Sequence, residues 1–123
     1  MATITGVWTQ PVGGISRVIF TPMTFTGTDV STEIEAPDFA HKEVQVFGTF
    51  GAGGNVAIEG SLDGGTTWAV LNDVSSTALN VTSAKIEKIQ ETCARIRARV
   101  TAGDGSTTVT VVFVLKSGGT YGS

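Results

Sequence analysis

An all-β fold, a β-sandwich of jelly-roll type with one short α-helix and an extended N-terminal arm, is what this sequence predicts, on three observations. Thr, Val and Ile make up 42 of the 123 residues and Gly a further 16; side chains branched at Cβ are stiff and suit a pleated surface, while glycine supplies turns. Short apolar runs recur at regular spacing between clusters of Gly, Asp, Asn and Ser. Within the runs apolar and polar residues alternate, the period that sends successive side chains to opposite faces of a strand.

The length suits one domain with one core. It divides into an arm over 1–16, a sandwich over 17–116 and a Gly-rich tail over 117–123. Cys93 is the sole cysteine and has no intramolecular partner for a disulfide.

The arm carries Trp8 and Pro11 among Gly6, Gly13 and Gly14, which predicts an extended segment with little regular pairing. Trp8 either folds back onto its own domain or grips a neighbouring subunit. Strands are expected over Arg17–Thr21, Val30–Glu35, Glu43–Phe50, Val56–Leu62, Thr67–Leu71, Ala78–Val81, Ala94–Thr101 and Thr107–Lys116. Alternation puts Val44, Val46 and Phe50, and likewise Val56, Ile58 and Leu62, in the core. The last strand is apolar on both faces, with Val112 and Val114 backing Val109, Val111, Phe113 and Leu115, so its second face is covered from within or meets another chain. The helix is expected over Ser83–Thr92, capped by Thr82 or Ser83, with Ile86, Ile89 and Cys93 along one stripe and Cys93 a small buried hydrophobe.

A net charge of −3 with charged residues at 15% offers no basic face for nucleic acid. No apolar run approaches the length that spans a bilayer, and the start resembles no signal peptide, so a soluble protein made in a cytoplasm is expected. His41, in Asp38-Phe39-Ala40-His41-Lys42, reads as a solvated residue of a polar loop rather than a catalytic base. One histidine and one cysteine make no zinc site, and the acidic residues lack the spacing of a calcium loop. No phosphate loop, cofactor or metal is expected.

The string Ser61-Leu62-Asp63-Gly64-Gly65-Thr66-Thr67-Trp68 resembles the Asp-box of sialidases and related propellers. Its physics is that of a turn: Asp63 accepts hydrogen bonds from its own backbone, Gly64 and Gly65 tolerate positive φ, and Trp68 anchors the hairpin. A propeller needs several blades of roughly 40–50 residues, and the only tyrosine, Tyr121, sits in the tail, so no sialidase site and no enzyme is expected. Arg95, Arg97 and Arg99 alternate with Ile96, Ala98 and Val100, so three guanidinium groups share one strand face. They need water, carboxylates on a neighbouring strand, or an acidic partner.

From Val56 to Lys116 the order of strand, Asp63 hairpin, Val70-Leu71-Asn72-Asp73, short helix, Arg-Ile-Arg strand and Ala102-Gly103-Asp104-Gly105-Ser106 turn resembles small structural proteins of tailed phages, including β-sandwich capsid decoration (cement) proteins. The resemblance implies a virion protein that binds the major capsid protein on the shell's outer surface, often as a trimer. Trp8 and Pro11 of the arm and Arg95, Arg97 and Arg99 are the residues expected to make such contacts. A tail or fibre adaptor and a carbohydrate-binding sandwich, the latter using Trp8 and Trp68, are the alternatives.

Overall fold

The computed structural model describes residues 3–12, 15–25, 30–31, 34–35, 39–90 and 95–117. Among these residues there are strands and no helix. In chain order the strands are β1 (Thr3–Ile4), β2 (Val7–Val12), β3 (Ile15–Thr24), β4 (Val30–Ser31), β5 (Ile34–Glu35) and β6 (Phe39–Thr49). There follow β7 (Asn55–Ser61), β8 (Ala69–Val70), β9 (Asn80–Val81), β10 (Lys85–Lys88), β11 (Arg95–Ala102) and β12 (Thr108–Ser117). They form two sheets. One has five strands in the order β10-β6-β12-β3-β2; the other has seven, β1-β4-β11-β7-β8 with β5 also on β11 and β9 also on β7. β1 runs parallel to β4, and the remaining pairs are antiparallel.

The core lies between the sheets and is built from the alternate residues that the period of two selects. Val18 and Phe20 of β3, Val44 and Val46 of β6, and Val109, Val111, Phe113 and Leu115 of β12 are buried from one side. Val56 and Ile58 of β7 and Ile96, Ala98 and Val100 of β11 are buried from the other. Phe20 and Phe113 meet edge to face, with centroids 6.0 Å apart and planes at 83°, the geometry that aromatic quadrupoles favour.

Several expectations are corrected. The predicted helix over Ser83–Thr92 is, within its described part, strand β10, paired from Lys85↔Val46 to Lys88↔Glu43 with β6. A helix of about two turns is marginal in water, whereas a strand here shields the edge of β6 with ladder hydrogen bonds. Ile86 and Ile89, on one stripe of a helix, consequently part: Ile89 is buried and Ile86 is exposed. Cys93 lies outside the described residues. Nor is the N-terminal segment short of pairing, because β1 joins the seven-stranded sheet and β2 the five-stranded one. Gly6 between them lies so close to the core that a Cβ would run into Val18 Cγ2 and the Phe20 ring. His41 stands on β6 rather than in a loop. Leu62 falls beyond the end of β7 and is exposed, and Phe50 is partly buried against the core.

Two loops that each cross from one sheet to the other are joined by one carboxylate. Asp104, between β11 and β12, accepts from Ser106 Oγ at 2.6 Å and Ser106 N at 2.8 Å, and through Oδ2 from Ala52 N in the β6–β7 loop at 2.9 Å. Thr107 Oγ1 donates across the same gap to Phe50 O at 2.7 Å. The Ser106 hydroxyl foremost, then the Ala52 and Ser106 amides, holds the Asp104 carboxyl down at about 2 from an ordinary 3.8. A lowered folded-state pKa gives stability that is present above the unfolded value and lost as pH falls through the folded one. Thermal stability is therefore expected to fall between pH 3.8 and about 2, and Asp104→Asn to flatten that part of a melting-temperature-against-pH curve. An unchanged curve in the variant would remove Asp104 from the loop staple.

Candidate functional site

β7 and β11 form the middle of the seven-stranded sheet, paired Arg97↔Glu59 and Arg99↔Ala57. With Ile96, Ala98 and Val100 turned into the core, Arg95, Arg97 and Arg99 face outward. Glu59 shares that outer face and is nevertheless buried, because guanidinium groups close over it. Its Oε1 accepts from Arg97 Nε at 2.8 Å and Arg99 Nε at 3.2 Å, and its Oε2 from Arg99 Nη2 at 2.8 Å. Arg99 is thus bidentate, the geometry in which guanidinium and carboxylate match. Burial works against the Glu59 charge, yet the hydrogen bonds from Arg99 and Arg97 outweigh it and keep its pKa below the ordinary value. The carboxylate also relieves the repulsion between the two arginines it bridges.

The Arg97 guanidinium lies over the Trp68 ring, 4.1 Å from its centroid, close enough for a cation–π attraction. Trp68 is itself held by the turn after β7, its Nε1 donating to Gly65 O at 2.9 Å. In that turn Ser61 Oγ donates to Asp63 Oδ1 at 2.8 Å, and the Thr66 and Thr67 amides donate to the same oxygen at 3.1 and 2.8 Å. Ser61 Oγ accepts in return from Gly65 N at 3.0 Å. Gly64 and Gly65 have φ of 80° and 94°, conformations that glycine reaches without strain. The Thr67 amide foremost, then the Ser61 hydroxyl, lowers the Asp63 carboxyl to about 2. The string from Ser61 to Trp68 thereby acts as a structural hairpin between β7 and β8, and it presents Trp68 to Arg97.

Glu59, with both oxygens engaged by guanidinium groups, and Asp63, with Oδ1 engaged by its own turn, are poorly placed to exchange protons with a substrate. Among the described residues no group of three His, Cys, Asp or Glu side chains could hold a metal. His41 sits on the other sheet, beside Glu43, Val114 and Lys116 at a surface hollow. The outer face of β7 and β11 is a preorganised, positively charged surface, on which Arg99 and Trp68 are partly exposed.

Trp8 and Pro11 are not brought to this surface. Both lie on β2 of the five-stranded sheet, Trp8 opposite Val18 and 52% exposed at the sheet edge; the Pro11 side chain is outside the described residues. Glu59 and the stacking of Arg97 on Trp68 are what sequence reasoning missed. The signal for Glu59 was its parity: it alternates with the core residues Val56 and Ile58 and so shares a face with the arginines once β7 and β11 pair.

No protein-family model matches the chain, and no curated protein matches it in sequence. Among solved structures, the SPBc2 prophage-derived protein YomS is similar in fold: TM-score 0.58 at 11% identity, over 89% of this chain and 100% of that one. A weaker likeness, TM-score 0.39 at 11% identity over 91% of this chain and 75% of the other, is to the Drosophila melanogaster CENP-C cupin domain.

Removing the buried member of the arginine cluster leaves two guanidinium groups without their counter-charge, the costly direction in which to break such a group. Glu59→Ala is expected to lower the free energy of unfolding by about 2 kcal/mol, less than for a fully buried pair because both arginines touch water. Denaturant titration measures this, and a variant as stable as the parent would show that the clamp contributes nothing to the fold.

Proposed function

We propose that this chain is a non-enzymatic structural protein of a phage virion, a decoration or cement subunit that binds the major capsid protein on the outer surface of the shell. The observation that carries the reading is the likeness in fold to a prophage-derived protein, which spans the whole of that chain and most of this one. The jelly-roll type of the sandwich belongs to the same reading. Two features support a role made of contacts. The five-stranded sheet leaves Val7, Phe47 and Ile86 exposed, and the Arg97, Arg99, Glu59 and Trp68 group is held in place before any partner arrives, which lowers the cost of ordering side chains on binding.

A subunit that binds only the assembled shell stabilises it by mass action, by an amount set by its concentration relative to its dissociation constant. Arg95, Arg97 and Arg99 would face carboxylates of the shell, and Trp8 with Pro11 at the edge of β2 would make the second contact. Sugar binding is less well supported, because stacking of a sugar on Trp68 would compete with Arg97 for the ring.

Immunogold labelling of particles released from cells that carry the gene tests the assignment. Gold spread over the shell is the expected result. Gold confined to the tail would replace decoration by the adaptor role, and particles without gold would overturn a virion role altogether. With labelled shells in hand, the combined Arg97→Ser and Arg99→Ser variant is expected to bind stripped shells at least tenfold more weakly, as loss of charge-assisted contacts at an interface implies.

A further inference from the structure

The outer face of the five-stranded sheet has no layer over it among the described residues. Its outward residues fall into rows that cross all five strands in register. Ile86, Gln45, Val112, Ile19 and Val7 form one, and Lys88, Glu43, Val114, Arg17 and Thr9 the next. Val7 is 62% exposed, Ile86 60% and Phe47, one step further along β6, 41%. Apolar residues gathered on one sheet face are what a subunit buries on association. The sheet edges invite it less: β2 carries Pro11, β10 carries Lys85 and Lys88, and β1 and β8 are two residues each. Proline, lysine and shortness are the devices that keep edges from pairing.

We propose that this face is a two-fold interface with a second copy of the same chain. β12 is the middle strand, flanked by β6 and β10 on one side and β3 and β2 on the other. A two-fold axis laid along β12 sets β6 of one copy over β3 of the other, and β10 over β2. In the first row Ile86 then meets Val7 and Val112 meets Val112. In the second Glu43 meets Arg17, twice by symmetry, as an isologous contact requires. Glu43 is held in the ladder by its backbone, while its carboxylate has no side-chain hydrogen bond or ion pair among the described residues, and Arg17 spends Nε on Thr9 Oγ1 at 3.1 Å, which turns its guanidinium along the row. Lys116, at the far end of β12, meets its own copy; there the twist of packed sheets separates the strands, and its long side chain reaches water at the rim. The interface accounts for the half-exposed Val112 and Val114, the second apolar face of the last strand. It is two-fold, unlike the trimer that the phage resemblance implies, and it stands whether or not the chain is a virion protein.

Sedimentation equilibrium of the full chain over a concentration series tests it, with circular dichroism to show that each variant folds. The parent is expected to be a dimer. Glu43→Arg and Arg17→Glu, both at exposed or half-exposed positions, are each expected to raise the dissociation constant about tenfold or more, since each replaces two attractions by two repulsions. An equimolar mixture of the two variants is expected to dimerise again, because each chain then supplies the charges the other lacks. A parent that is a monomer or a trimer overturns the proposal, and so does a dimer that neither variant weakens or a mixture that fails to recover.

Discussion

In a strand whose side chains alternate between faces, pairing register decides what is core and what is surface, and between β7 and β11 it decides most of this molecule. Set at Ala98↔Ile58 and Arg97↔Glu59, it sends Ile96, Ala98, Val100, Val56 and Ile58 into the space between the sheets. A slip of one residue would bury the arginines and expose that apolar set, so burial specifies the register strongly. The Glu59 clamp is a consequence of the same register, since only there does a carboxylate of β7 lie between Arg97 and Arg99. The clamp in turn fixes the outer face, with Arg97 laid on Trp68 and Trp68 tied into the Asp63 turn.

The two sheets divide the work differently. The seven-stranded sheet covers its outer face with its own chemistry: one acid satisfied by two bases and an aromatic ring, with no buried side-chain nitrogen or oxygen lacking a partner among the described residues. The five-stranded sheet leaves Val7, Phe47 and Ile86 to solvent. Charge on the first and apolar surface on the second suit different partners, which is why the proposed shell attachment uses the arginine face and the proposed self-association the other. The loops are held separately, by Asp104 and Thr107 bridging to Ala52 and Phe50. The two short acidic turns thus serve the scaffold, and strand side chains carry the surfaces.

What the sequence by itself determined was the β class, the faces of the strongest strands and the hairpin from Ser61 to Trp68. These follow from local rules: alternation, branched side chains, and a Ser, an Asp and two Gly that close a turn on their own backbone. Only the tertiary structure decided that residues 85–88 extend as a strand, since the helical spacing of Ile86 and Ile89 yields to the ladder offered by the edge of β6. It likewise decided that the segment with Trp8 pairs with β3 and that Glu59 is the acid beneath the arginines. Two of these depend on a partner distant along the chain, β6 for β10 and β7 for β11, while β2 pairs with the strand that directly follows it. Local periodicity carries no record of which distant strand will arrive alongside, because pairing energy is realised only between strands already brought together by burial of the core.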